Sequence, residues 1–554
     1  MFRAKLISSL EKCFIDETVL LKPALTSASM LKNERYSFQL CYDNGGELVR
    51  GARDYSIKIE SPLEKYISVY NVRQIPSYMP CFPEHIDDNY LRTKPGLYPD
   101  LLEPFRYKSD FFGPDGTLRA LWFEVDPQSA VEAGVYPIKI RIRKRGTRKD
   151  IAAYTLNVEI INAELPAQKI MYTQWFYTDC LMDQYGVRAW SEKHWKIIEN
   201  FMGNAVKYGQ NMILTPIVTP ELDTHIGGER PTTQLVDVTK TAEGYKFNFD
   251  KLGRWVDLCD KTGIKYLEIC HLYSQWGAAA CPKVVATVDG KQKKIFGWNT
   301  PSDGDEYKAF LSALLPQMIE YLKTEKNGAD KRCWFHISDE PSENHLEQYK
   351  RLSDFLKPLL KGYPIMDALS NVAFYDEGLV ENPVPATNHI EPFLERNIPN
   401  LWTYYCCGQC KQVSNRFLAM PSARNRVIGT QFYKYNIAGF LQWGYNNYNT
   451  RQAYAKVNPF MFSDGDNWVQ SGDPFSVYPG ANGQPWPSLR QVVFAEGLQD
   501  QRALDLLEQL YGREKAMEAL EAGIDPITFK QYPKSAQWLL GLRERINQLI
   551  KAKV

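Results

Sequence analysis

An antiparallel β-sandwich followed by a (β/α)8 barrel is the fold class this sequence predicts. Three observations predict it. Apolar residues alternate with period two through residues 36–160. Beyond Pro166 short apolar runs take turns with amphipathic helical stretches, the pattern of parallel strands joined by helices. One of those runs, Cys333-Trp334-Phe335-His336-Ile337-Ser338, ends in adjacent Asp339 and Glu340, and Pro341 follows at once. Proline has no N–H to donate, so regular pairing stops there and both carboxyls arrive together at a strand's C-terminal edge. In parallel α/β sheets and barrels that edge is where sites are built.

In the first part, Tyr36, Phe38, Leu40 and Tyr42 share one face of a strand, as do Tyr55, Ile57 and Ile59. Leu121-Trp122-Phe123-Glu124-Val125 forms another. Tyr136, Ile138, Ile140 and Ile142 alternate with Lys139, Arg141 and Arg143. Tyr154, Leu156, Val158 and Ile160 pair with that strand across a basic turn, Lys144 to Lys149, which reads as a solvated hairpin tip. Many short strands without intervening helices make an antiparallel sandwich. The stretch from Ile75 to Asp115, rich in Pro, Tyr and Asp, reads as long ordered loops. The sandwich occupies residues 1–165; the barrel, with its C-terminal helices, occupies 166–554.

The predicted barrel strands are Ile170–Phe176, Met212–Pro216, Tyr266–Cys270, Cys333–Ser338, Pro364–Leu369, Thr387–Ile390, Leu401–Cys406 and Gly439–Trp443. Helical periodicity falls at Trp190–Tyr208, Leu252–Thr262, Glu306–Leu322, Leu346–Leu360 and Asn415–Tyr435. A long loop from Tyr445 to Pro487 then overhangs the expected catalytic face, and the chain is helical from Ser488 onward.

At 554 residues the chain needs two or three domains. Lys+Arg is 66 against 65 Asp+Glu, so a net charge of +1 gives no basis for nucleic acid or an anionic membrane as the main partner. No apolar run is long enough to span a bilayer, so membrane insertion is not expected. The N-terminus lacks an apolar signal core, and eleven cysteines show no paired spacing; both point to a reducing, cytoplasmic setting. Cys407 and Cys410 make one C-x-x-C, but no second such pair or His pair completes a zinc site, so no metal is expected. Nucleotide-binding glycine loops and the G-x-S-x-G elbow are missing from the sequence.

Two close carboxyls perturb each other: one stays ionised while the other holds a proton near neutral pH. That division of labour suits acid–base chemistry on a glycosidic bond. The alternative is a surface Asp-Glu that caps the helix beginning near Ser342. The surroundings favour the first. Trp402 and Tyr404 lie two apart on one strand and face the same side. Trp443 ends the eighth strand, with Tyr445, Asn446 and Asn447 after it, Trp175 ends the first strand and His271 the third. Any one of these aromatics reads as barrel core, and His271 as a satisfied core or rim histidine. Gathered at several strand ends with amides and carboxyls, they make a sugar pocket, an apolar wall with a few aimed polar groups.

The segment Trp334 to Pro341 resembles the signature of glycoside hydrolase family 123, the β-N-acetylgalactosaminidases. Leu401-Trp402-Thr403-Tyr404, Gly439-Phe440-Leu441-Gln442-Trp443, Val477-Tyr478-Pro479-Gly480 and Glu496-Gly497-Leu498-Gln499-Asp500 resemble that family's catalytic domain, and Gln442 stands where the family carries an aromatic. The resemblance implies substrate-assisted, retaining hydrolysis of a terminal β-GalNAc on a glycan or glycolipid, with no cofactor. It implies Glu340 as general acid and base, Asp339 as the group that polarises the 2-acetamido N–H, and Tyr404 as a donor to the acetamido oxygen. Trp402 and Trp443 would wall the pocket, with Asn446, His271 and Trp175 as further substrate-binding residues. Two alternatives stay open: a retaining glycosidase for another N-acetylated sugar such as GlcNAc, and a non-catalytic carbohydrate-binding barrel.

Overall fold

The structure is a computed structural model and describes residues 2–45, 55–105, 110, 111, 113, 116–144 and 146–554. Arg145, at the tip of the expected basic turn, and residues 106–109, 112, 114 and 115 of the expected loop region lie outside the described residues.

Two five-stranded sheets form the N-terminal part. One runs Arg3–Ser8, Tyr36–Asp43, Arg119–Val125, Ile67–Ser77, Gly96–Pro104, antiparallel throughout. The other runs Ser27–Leu31, Asp150–Ile161, Gly134–Lys144, Tyr55–Glu60, Asp110–Phe111, and only its first pair is parallel. In the hairpin, Tyr154 sits opposite Ile140 and Leu156 opposite Ile138. Leu6, Phe38, Leu40 and Phe123 of the first sheet meet Ile57, Ile138, Ile140 and Val158 of the second in one apolar cluster. The opposite face of the first sheet is also covered: Ile7, Cys41 and Trp122 pack with Val493, Leu504, Leu542 and Ile546 from the C-terminal helices. Burial on both faces explains why the run 121–125 is nearly continuous in apolar residues rather than alternating. Gly96–Pro104 is a strand where loops are expected; its prolines sit at an edge, where a missing N–H costs little.

Six strands then form one parallel sheet, a half-barrel in the order Cys333–Phe335, Tyr266–Ile269, Met212–Thr215, Met171–Gln174, Gly439–Gln442, Trp402–Tyr404. Met366–Ala368 and Asn382–Val384 make a separate parallel pair, which touches the two edges of the six through single bridges, Phe335 to Ile365 and Ala386 to Tyr404. The strand expected at Thr387–Ile390 is instead Asn382–Val384. Pro383 is tolerated because that strand pairs on one side only, and residues 387–390 turn into the short helix Glu391–Glu395. Helices Glu192–Lys207, Asp250–Thr262, Asp305–Thr324 and Leu346–Leu359 lie close to their expected spans. Asn415–Tyr435 is not one helix. It is Ser422–Arg426 and Ile428–Lys434, because Pro421 starts the first and Asn415 and Arg416 use their side chains to brace loops.

A four-stranded sheet, Gly244–Asn248, Asp237–Thr241, Val284–Val288 and Lys291–Phe296, is inserted around the third parallel strand. Its signal is the Asp289-Gly290 turn, where φ of 53° and 76° puts both residues in the left-handed region a tight hairpin requires. The C-terminal helices are Leu489–Tyr511, Arg513–Glu521 and Ala536–Lys551, separated by a non-helical stretch 522–535. Among the described residues no helix is long and apolar enough to cross a membrane. Buried ion pairs stitch the two parts together. Arg490 holds Asp100 at 2.8 Å and Arg543 holds Glu34 at 2.6 Å.

Candidate active site

Regular pairing of the fourth strand ends at Phe335, and residues 336–340 run on irregularly between two neighbouring loops. The N–H groups of Leu272, Tyr273 and Trp276 donate to the carbonyls of His336, Ile337 and Asp339, and the Glu340 N–H donates to the Ala368 carbonyl at 3.1 Å. Glu340 is held at φ 43°, a left-handed conformation that a side chain other than glycine's adopts at a cost of about 1–3 kcal/mol. The surrounding bonds fix that turn, and it separates the two neighbouring side chains. Asp339 is buried, whereas Glu340 is exposed.

Both carboxyls line a cavity of ≈ 240 Å³ together with Trp175, Tyr177, Tyr404 and Trp443. The Tyr404 hydroxyl donates to Glu340 Oε1 at 2.7 Å. Burial, and then the charge of Glu340, hold the Asp339 carboxyl well above the usual carboxylate range; His336 pulls the other way.

The other expected residues divide. Trp175 and Trp443 are in the cavity wall. The Trp443 indole N–H is fixed by Asp473 Oδ2 at 3.0 Å, and its ring meets Trp468, another wall residue, edge-on at 5.2 Å. Trp402 does not reach the cavity. It shares a face with Tyr404 but lies one layer deeper, fully buried against Trp334, and its ring lies so close to Gly439 that a Cβ there would fall 2.1 Å from it. Asn446 is buried, accepting from the Tyr177 N–H at 2.8 Å and donating to the Tyr177 carbonyl at 3.0 Å, so it places Tyr177 in the cavity wall. His271 is also buried, beneath the cavity, at the edge of the Trp175 ring. Gln442 points away from the cavity as well. It accepts from Arg416 at 2.6 Å and donates to Asp473, bracing the loop that holds Trp443.

Beneath the carboxyl pair lies a buried array that the strand assignment alone does not reveal. His336 Nε2 bonds Glu268 Oε1 at 2.9 Å and Nδ1 bonds Asp367 Oδ1 at 3.0 Å. Burial opposes a charge on His336, but these two carboxylates outweigh it and push the imidazole up to about 9. Glu268 also accepts from Thr173 and, at 2.8 Å, from the Trp175 indole. Asp367 accepts from the backbone N–H groups of Ile337 and Ser338 and from the Tyr349 hydroxyl. His271 stacks on His336 with centroids 4.2 Å apart; burial, then the His336 charge, push it well below its ordinary value. His271, His336 and Asp367 are close enough to suggest a metal cluster. Both His336 nitrogens are committed to carboxylates, however, and an imidazolium repels a cation, so these donors suit a proton.

The sequence reading missed Asp223, Gln275, Trp276, Arg451 and Trp468, all in the cavity wall. They sit in irregular loops after the strands, where periodicity carries no signal.

Adjacent carboxyls at the end of a parallel strand, in a cavity walled by indoles, suit acid–base chemistry on a glycosidic bond. The chain belongs to one family of glycoside hydrolases: residues 175–507, more than half of it, match the glycoside hydrolase 123 catalytic domain. Among solved structures, a family 123 glycoside hydrolase from Clostridium perfringens, described in terms of glycolipid glycan hydrolysis, shares the fold at a TM-score of 0.74 and 14% identity, over 100% of this chain and 98% of that one. A Bacteroides ovatus family 5 xyloglucanase aligns at 9% identity over 85% of this chain and 97% of that one, with a TM-score of 0.30. A Rhizomucor miehei family 5 mannosidase aligns at 12% identity over 59% and 93%, with a TM-score of 0.32. Likenesses that weak carry no weight. No curated protein matches the chain.

The buried His336 proton makes a prediction. A raised histidine pKa contributes stability that is fully present below its unfolded value near 6.5 and is lost as pH rises through about 9. The melting temperature should therefore fall across that window. His336→Gln should lack this limb and lose about 3–5 kcal/mol at pH 6.5, because two buried carboxylates lose the charge between them. Thermal melts at stepped pH check both.

Proposed function

We propose that the chain is a retaining β-N-acetylgalactosaminidase that releases terminal β-GalNAc from glycans or glycolipids. The observation that carries this reading is the adjacency of a buried Asp339 and an exposed Glu340 in one cavity. The Clostridium perfringens relative's described action on glycolipid glycans supports the substrate class. With the reading goes a division of labour along the chain, a sandwich of residues 1–165 beside a catalytic unit of 166–554 whose eight parallel strands act as one closed (β/α)8 ring.

Desolvation favours the proton on Asp339, and the Tyr404 hydroxyl donates to Glu340. A 2-acetamido N–H arriving at Asp339 reverses this. It stabilises the Asp339 carboxylate and leaves the proton to Glu340, beside the glycosidic oxygen. Glu340 protonates that oxygen as the C1–O bond breaks, and the acetamido carbonyl oxygen attacks C1 from the other face. The positive charge of the oxazolinium so formed lies next to Asp339. Glu340 then takes a proton from water, which attacks C1 and restores the β configuration. Tyr404, released from Glu340, would turn its hydroxyl to the acetamido oxygen, and Trp175 and Trp443 would pack the N-acetyl methyl and ring face.

Asp223 gives the rival double-displacement reading its one foothold, since it is a third carboxyl in the cavity wall. Burial pushes it up to about 7, against the pull of Arg230. A nucleophile needs the anion, so this environment favours another task for Asp223.

Aryl β-GalNAc should be turned over faster than aryl β-GlcNAc; equal or faster turnover of the GlcNAc compound rejects the assignment. Glu340→Gln should lose about 10²–10⁴-fold on a poor leaving group. The loss should shrink on an activated phenol, which needs no proton; equal losses on both would remove Glu340 from the acid role.

A further inference from the structure

Asp223 is the carboxyl in the cavity that the proposed chemistry leaves without a task. It lies on the loop after the Met212–Thr215 strand, in a left-handed backbone conformation at φ 48°. Three contacts fix this conformation. The Asp223 N–H donates to Gln275 Oε1, Gln275 Nε2 donates back to the Thr224 carbonyl at 2.8 Å, and the His225 N–H donates to the Gln452 carbonyl at 3.0 Å. Gln275 and Gln452 are themselves cavity-wall residues. The Gln452 backbone and the Asn447 side chain both lie toward the carboxyl and favour its ionised form. Its Oδ2 is buried with no hydrogen bond, and so is Nδ2 of Asn447, whose amide faces it. A buried, unsatisfied acceptor in a ligand cavity costs free energy until a donor arrives.

We propose that Asp223 is a specificity-determining residue that accepts a hydrogen bond from a hydroxyl on the C3–C4 edge of the sugar whose glycosidic bond is cleaved. The inference rests on the proposed acetamido-sugar reading and adds the recognition of the ring's far edge. In that reading Asp339 takes the amide at C2 and Glu340 the oxygen at C1, both from one stretch of chain. Asp223 comes from a strand end two places along the sheet, past the Tyr266–Ile269 strand. A ring pinned at C1 and C2 by the fourth strand therefore offers its C3–C4 edge to the second. Asp223 and Asp339 line the same cavity of ≈ 240 Å³. The same burial that raises the Asp223 carboxyl makes a hydroxyl donor valuable there: a ligand hydroxyl supplies the partner that Oδ2 lacks among the protein groups around it. The Arg451 and Arg230 charges both favour the ionised acceptor.

The test is a cycle of variants against substrates. Wild type, Asp223→Asn and Asp223→Ala are compared on aryl β-GalNAc and on its 3-deoxy and 4-deoxy analogues, with sugar affinity measured in parallel by calorimetry and folding checked by circular dichroism. In wild type, removing the contacted hydroxyl should cost roughly 10–100-fold in kcat/KM, the cost of leaving a buried acceptor unsatisfied. In Asp223→Ala that penalty should fall to near unity, with an intermediate value in Asp223→Asn. A deoxy penalty that persists undiminished in Asp223→Ala at both positions overturns the inference, as does a sugar ester trapped on Asp223. Wild type that binds GalNAc without cleaving it overturns the activity and leaves the cycle to be read from the affinities. Wild type that neither binds nor cleaves it brings down both.

Discussion

The buried contact of His336 with Glu268 and Asp367 is the constraint on which the cavity end of the parallel sheet depends. The three groups come from adjacent strands, and all are fully buried. With a proton on His336, a cation sits between two acids, each of which has further donors. Without it, two carboxylates face a neutral ring in a medium that solvates them poorly. The array holds parts of the cavity in place. Glu268 fixes the Trp175 indole in the cavity wall, and Asp367 grips the N–H groups of Ile337 and Ser338, the two residues before Asp339. His271 lies flat against the charged ring with both nitrogens unpartnered, which a neutral imidazole tolerates and a second cation would not.

Above that floor, one strand end delivers two chemically different carboxyls because the backbone turns sharply between them. The left-handed turn at Glu340, immediately before Pro341, sends one side chain out to solvent and Tyr404 and leaves the other buried. Neighbouring residues thereby acquire unlike surroundings, one buried and one open to solvent. That turn is held by hydrogen bonds from two separate segments, the loop at Trp276 and the strand that carries Asp367 and Ala368.

How much of this is legible in the sequence follows from where periodicity exists. The sandwich strands and most parallel strands declare themselves because one or both faces are buried along their whole length. The Asp339-Glu340 pair is legible because an apolar run points at it and a proline stops the run. Side-chain direction along a strand places Tyr404 at the mouth but cannot say that Trp402, two residues earlier, sits a layer below it. Asn446 and His271 have the right chemistry at the right strand ends, yet the first is spent on the Tyr177 backbone and the second lies under the floor. The strand at Asn382–Val384 is hidden by its prolines, which an edge position excuses. Asp223, Trp276 and Trp468 stand in loops whose conformation depends on distant partners, such as Gln275 for Asp223, and no local pattern announces them.

The central claim is that the sugar's own acetamido oxygen is the nucleophile, with Asp339 holding its N–H. It is tested most directly by the turnover of one aryl β-GalNAc series in which the acetyl group carries zero, one, two or three fluorines. Each fluorine weakens the carbonyl oxygen as a nucleophile while the leaving group and ring stay the same. The account predicts a steep fall in log kcat with fluorine number. A flat series would mean that C1 is attacked by a protein carboxylate, and would contradict it.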